Sequence, residues 1–193
     1  MTPLSIDSLN ALLPSADLEA ALMTLAQWPA EVTTQWKERR ALAMHEAAHF
    51  AAACACPGAY ISSVYISPNG KPSKRFMREA AGHVRSLEKY AAETLFVTQA
   101  GIQWEGLTGG DGDYSDIARA ERESREVENP AAVEAACRVF VTDHSRLINV
   151  LGVAILLAVR TDGSLGHKKL DQLVKWTRQQ VRPFRWQELA NLD

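Results

Sequence analysis

Residues 40–58, RALAMHEAAHFAAACACPG, decide the fold and contain an H-E-x-x-H motif. His45 and His49 are four residues apart, and such residues on an α-helix differ by about 40° in azimuth and about 6 Å along the axis. Both imidazoles can therefore reach one metal ion from one face of the helix. Glu46 lies beside them. This pattern indicates a zinc site in which the glutamate accepts a proton from the zinc-bound water.

Most of the chain around this motif is helical in pattern. An alanine-rich helix is predicted over residues 31–56, where Pro57-Gly58 ends it. Residues 59–67 and 81–87 have the β-branched and aromatic content of two short strands. The remaining predicted segments are a helix over 87–107, a glycine-rich loop over 108–113, and helices over 114–128, 130–144, 147–160 and 166–181. With a further helix predicted over 16–28, we expect a mainly α fold of about seven helices, with one small β-hairpin beside the helix that carries the motif.

The composition is that of an ordinary globular protein. The chain has 193 residues, of which 47% are hydrophobic and 23% charged, and these values exclude wholesale disorder and a fibrous fold. A net charge of -2 excludes a protein that coats nucleic acid with its whole surface. Three cysteines, an odd number, indicate free thiols. The first residues lack a signal-peptide pattern, and the longest apolar stretch, 148–159, is too short to span a bilayer, so we expect a cytoplasmic protein without membrane contact.

A catalytic zinc ion needs a third protein ligand, and the sequence leaves several candidates open. The extended motif H-E-x-x-H-x-x-G-x-x-H is excluded, because Ala52 and Ala55 stand where it needs glycine and histidine. Asp116 follows a glycine-rich loop at the start of a predicted helix, where the loop can direct its carboxylate. The other candidates lie on or next to the preceding predicted helix: Glu88, Glu93 and Glu105.

The order of these segments resembles the peptidase domain of the FtsH-type zinc proteases. The resemblance covers about residues 36–180 and rests on four stretches: AMHEAAHFAAACACPG (43–58), AYISSVYISPNG (59–70), ETLFVTQAGIQWEGL (93–107) and GGDGDYSDIARA (109–120). It implies a helical, zincin-like metallopeptidase fold. It further implies that His45, His49 and Asp116 bind zinc, that Glu46 is the general base, and that Glu105 supports the ligands from beside them.

The chain also departs from this family. Ala48 and Ser115 replace a glycine and an asparagine that are usual there, and residues 71–86, KPSKRFMREAAGHVRS, replace the usual loop after the strand. We find no ATPase module or membrane anchor in the sequence, and we expect a peptidase that acts without its own motor. The predicted organisation is an N-terminal helical appendage (1–35), the peptidase domain (36–181) and a C-terminal tail (182–193).

The implied function is zinc-dependent hydrolysis of peptide bonds in flexible or unfolded polypeptides. The first predicted strand could hold an extended substrate by β-augmentation, with contacts from Ile61, Ser63 and Tyr65. We expect no nucleic-acid partner, and a homo-oligomer is compatible with the sequence. A different class stays open, in which a non-proteolytic zinc-containing module contacts protein or nucleic acid through the basic and aromatic residues 168–186. The intact Glu46 favours the peptidase, since structural zinc does not need it.

Overall fold

The computed structural model describes residues 30–68, 82–88, 90–109 and 114–184. Within these ranges it contains six α-helices, one 3₁₀ turn and a two-stranded antiparallel sheet, which confirms the mainly α class with one small hairpin. The helices are α1 (Ala30–Ala55), α2 (Ala91–Thr108), α3 (Tyr114–Glu123), α4 (Pro130–Asp143), α5 (Ser145–Ala158) and α6 (His167–Gln180). The strands are β1 (Tyr60–Ile66) and β2 (Gly82–Leu87), and the 3₁₀ turn is Ser124–Glu126.

Helix α1 lies at the centre of the molecule. Every residue from Ala43 to Ala55 is buried, and the helix packs against α2, α5, α6 and both strands. A helix that is buried on all faces needs small side chains if its neighbours are to pack closely, and the many alanines of α1 supply them. The two histidines of the motif therefore lie in the core and not on the surface.

The hairpin covers one side of α1. Tyr60 pairs with Leu87 at one end and Ile66 with Gly82 at the other, with an irregularity between Ile61 and Ser63. The second edge of β1 is also occupied over residues 64–66: Leu165 N donates to Val64 O (3.0 Å) and Ile66 N donates to Gly163 O (2.9 Å). This close approach needs glycine at position 163, where φ is 88°.

The start of α4 is defined by a side-chain cap and a proline. Asn129 caps α4 by accepting a hydrogen bond from Ala132 N (3.1 Å), and Pro130 follows as the first helical residue. In the described ranges no single helix is long and apolar enough to cross a membrane, and the pair α4 with residues 145–156 reaches that length only with a 73° bend between its halves.

The predicted element ends agree with the structure to within four residues, with one exception. The helix predicted over 114–128 ends at Glu123 and continues as the 3₁₀ turn.

Helix α1 runs without a break through the predicted domain boundary at residues 35 and 36. The start of the predicted tail packs on the core, because Phe184 N donates to Ala55 O (2.8 Å) and its ring lies 4.4 Å from Phe96. The rest of the N-terminal appendage and residues 185–193 lie outside the described residues.

Candidate metal centre

Three side chains from two helices meet beside α1. His45 and His49 are one turn apart on α1, and Asp116 lies in the first turn of α3. Their Nε2 atoms are 3.0 Å apart, and each lies 2.9 Å from Oδ2 of Asp116. The two histidines are buried and Asp116 is half-buried, and together the three residues form a group that could hold a metal ion.

The other ring nitrogen of each histidine is already engaged. Nδ1 of His49 lies 2.7 Å from the carbonyl oxygen of Val97, and Nδ1 of His45 lies 2.7 Å from Oε1 of Glu105. The Val97 carbonyl can only accept, so the His49 ring donates from Nδ1, whereas the contact of His45 Nδ1 with Glu105 is an ion pair without hydrogen-bond alignment. Such a partner at the far nitrogen is the usual support for a metal-binding histidine, because it fixes the tautomer and the orientation of the ring.

This arrangement of acceptor atoms would stabilise a cation at the centre. Once both Nδ1 atoms carry protons, two Nε2 lone pairs and a carboxylate oxygen face one another within about 3 Å. Three acceptors at that distance repel unless a proton or a metal ion lies among them. In a tetrahedral site with bonds of about 2.0–2.2 Å the ligand atoms would be roughly 3.3–3.6 Å apart, so only a small outward shift is needed to admit an ion.

The electrostatics of the metal-free group agree with this geometry. Burial alone would lower the pKa of His45, but the carboxylates of Asp116 and Glu105, which accept from the protonated ring, outweigh it and raise that pKa to about 10. Burial likewise opposes ionisation of Asp116, yet the hydrogen bonds from both histidines hold the pKa of its carboxyl well below the usual range. The centre therefore favours positive charge between ionised carboxylates.

Glu46 follows His45 on α1 and is buried. Its side chain belongs to the buried core of α1, where only 4% of the residue is exposed, and its negative charge is close enough to help raise the pKa of His45. A buried carboxylate next to a metal-binding group is the arrangement that general-base chemistry requires.

The structure separates the four candidates for the third ligand. Asp116 joins the two histidines, whereas Glu105 contacts the far side of the His45 ring. Glu88 and Glu93 do not belong to the group; Glu93 is almost completely buried in the first turn of α2.

The structure occupies part of the strand edge that was predicted to bind substrate, at residues 64–66. Ile61 and Tyr65 are buried at 5% and 3% exposure, and Ser63 is half-buried. β1 is already paired with β2 on one edge and with residues 163–165 on the other. An added substrate strand would therefore have no unpaired backbone on β1 at residues 64–66, because that edge is taken by a segment distant in sequence.

Two features of the centre could not be assigned from the sequence. One is the carbonyl of Val97, which any residue type could supply. The other is Gly101 on α2, where an added Cβ would lie 2.6 Å from Cε1 of His49, 2.7 Å from Cε1 of His45, and closer still to Nε2 of His49. The only sequence signal was a small-residue pair, Ala100-Gly101, inside a predicted helix.

His83 and His144 pack on aromatic rings, and the three cysteine thiols are buried. His83 on β2 stacks on Tyr65, with ring centroids 5.5 Å apart, and burial together with the charge of Arg85 lowers its pKa to about 4. His144 stacks on Phe140 between α4 and α5. The three cysteines are free and buried, and burial raises the pKa of the Cys54 thiol to about 12.

No family model, curated protein or solved structure matches this chain significantly.

Proposed function

We propose that this protein is a zinc-dependent metallopeptidase that hydrolyses peptide bonds in flexible or unfolded polypeptides. The observation that carries the proposal is the convergence of His45 and His49 of α1 with Asp116 of α3 within 3.0 Å, and Glu46 is the residue that follows His45 on α1. Two imidazoles and one carboxylate form a donor set typical of catalytic zinc, which takes three protein ligands and keeps one position open. The segment order that resembles the FtsH-type proteases supports the same assignment.

Each residue of the centre has a distinct part in this chemistry. A bound zinc ion would supply a Lewis acid for the scissile carbonyl and lower the pKa of a water molecule. Glu46 accepts the proton of the attacking water and delivers it to the leaving amine. Glu105 and the carbonyl of Val97 hold the rings of His45 and His49 so that both Nε2 atoms face the centre.

The burial of the centre supports a flexible substrate. His45 is 5% exposed and His49 9%, so a folded protein surface cannot reach them without rearrangement. An extended chain is narrow enough to present a single peptide bond to such a site. A cytoplasmic location belongs to the same proposal.

The proposal is tested with zinc-reconstituted protein and fluorescently labelled β-casein, which is an unfolded chain. We expect hydrolysis that is lost with a chelator and restored by zinc. Glu46→Gln should keep zinc, measured by elemental analysis of the purified protein, and lose at least about 100-fold in rate, since general-base catalysis contributes roughly 10²–10⁴-fold. Equal rates for wild type and Glu46→Gln at full zinc occupancy would refute the catalytic role.

A non-proteolytic module predicts a different set of results. In the described part of residues 168–186, the exposed basic side chains that would contact an acidic partner are Lys168, Lys169, Lys175, Arg178 and Arg182. Stoichiometric zinc, no hydrolysis by wild type, and salt-dependent retention on immobilised DNA would favour that function.

A further inference from the structure

We propose that Gly101 is a positioning residue of the metal centre: the absence of a side chain there lets α2 lie directly against both zinc-binding imidazoles. The inference rests on the metal site of the proposed function, but it concerns a residue on a different helix that binds no ion. It would make α2 a third contributor to the geometry of the site, beside α1 and α3.

The evidence is the space around Gly101. Its backbone is buried in the middle of α2, which packs along α1 over the histidine pair. The three atoms that an added Cβ would meet first all belong to the imidazoles: Nε2 and Cε1 of His49, and Cε1 of His45 at 2.7 Å. Distances below 3.0 Å are not found for real Cβ atoms, so one of these groups would have to move.

The rings have little freedom to move away. His49 is fixed at Nδ1 by the carbonyl of Val97, which lies one turn before Gly101 on the same helix. His45 is fixed at Nδ1 by Glu105, one turn after Gly101. Helix α2 therefore contacts Nδ1 of both rings, through Val97 and Glu105. Gly101 lies between these two residues, and because it has no side chain the Nε2 side of each ring fits against the helix.

A methyl group at position 101 would interfere in two ways. It would push the rings out of the arrangement in which both Nε2 atoms and Asp116 meet. It would also occupy space next to Nε2 of His49, where a zinc ion would lie about 2.0–2.1 Å from that nitrogen. Metal binding should consequently be more sensitive to Gly101→Ala than overall folding is.

Two other glycines provide matched controls. Gly106 is exposed on the same helix and an added Cβ would meet nothing within 4 Å, so Gly106→Ala tests the change in helix propensity alone. Gly163 has φ 88° and an added Cβ would clash with Ile66 O, so Gly163→Ala is a destabilised variant whose defect lies away from the metal centre.

The first measurement is the zinc dissociation constant, obtained by competition with a chelator at a temperature well below the Tm of every variant. We expect Gly101→Ala to bind zinc about 10- to 100-fold more weakly, as for loss of a supporting contact. Gly106→Ala and Gly163→Ala should stay within about threefold of wild type, the latter with a lower Tm. Gly101→Ala with the affinity of wild type would overturn the proposal.

The second measurement uses metal-free protein and does not depend on zinc binding. In the presence of a chelator, the Gly101→Ala protein should have a lower Tm than the wild-type protein. In a His45→Ala/His49→Ala background the clashing rings are gone, and the same change should leave the Tm unchanged or raise it, because alanine favours a helix over glycine. An equal loss of Tm in both backgrounds would show that Gly101 is a general packing position. If the effect of Gly101→Ala on Tm depends on the two histidines but the wild-type protein binds no zinc, the proposed function is refuted.

Discussion

At the scale of single residues, the third ligand is the assignment with the sharpest test. Asp116→Asn keeps the shape of the side chain but loses the charge that faces both imidazoles. We expect zinc binding at least about 100-fold weaker, beyond the usual effect of losing a supporting residue. Glu88→Gln, at a position that the sequence left open as an alternative ligand, should bind zinc like wild type. Chelator competition measures both, and the reverse ranking would reassign the ligand.

The raised pKa of His45 predicts that zinc binding releases a proton. With a pKa of about 10 the metal-free ring is protonated at pH 7, and that proton must leave before Nε2 can bind an ion. The apparent zinc affinity should therefore rise by about tenfold per pH unit between pH 7 and pH 9 and level off above the pKa. Titration calorimetry in two buffers of different ionisation enthalpy counts the released proton.

Glu105 supplies the control for that titration. Its carboxylate is one of the groups that raise the pKa of His45, so Glu105→Gln should release less than one proton at pH 8 and show a flatter pH dependence. Binding enthalpies that are identical in both buffers for the wild-type protein would contradict the protonated metal-free state.

At the scale of elements, the sequence predicted the helices and strands whose ends depend on local patterns. The ends of α1, α4 and α6 follow from glycine, proline and hydrophobic periodicity near them, and these signals are read within a few residues of chain. The HExxH spacing also predicted that His45 and His49 lie together, because helix geometry alone places residues four apart on one face.

Contacts between distant segments could not be predicted in the same way. The pairing of β1 with residues 163–165 joins parts of the chain about 100 residues apart, and no local pattern marks it. The same holds for Glu105, whose distance to His45 depends on how α2 packs on α1. The choice of Asp116 as third ligand rested on the resemblance to the FtsH-type proteases. The residues themselves left four carboxylates as candidates.

The cap of α4 gives a test at this scale. Asn129 accepts a hydrogen bond from Ala132 N at the start of the helix, and Asn129→Ala should cost about 1 kcal/mol of the free energy of unfolding. Asn129→Asp, which keeps an acceptor and adds a charge favourable at a helix N-terminus, should be as stable as wild type. Urea denaturation measures both variants, and an Asn129→Ala protein of unchanged stability would show that the cap adds nothing.

At the scale of the whole molecule, metal binding should be coupled to global stability. The ligands lie on the central helix α1 and on α3, so an intact centre exists only in the folded chain. Free zinc at 100 times its dissociation constant should then raise the free energy of unfolding by about 2.7 kcal/mol. Calorimetric scans with zinc and with chelator measure the shift in Tm. His45→Ala/His49→Ala should show no such shift, and an equal response from that variant would place zinc elsewhere.

The unequal placement of the ligands has a consequence for how quickly an ion could be exchanged. His45 and His49 belong to a helix that is enclosed on all sides, whereas Asp116 belongs to the short helix α3, which packs chiefly against α2 and the 3₁₀ turn. Detachment of α3 alone would remove one of the three ligands while the core stays folded. The residence time of the ion would then be set by this local opening and not by the lifetime of the native state.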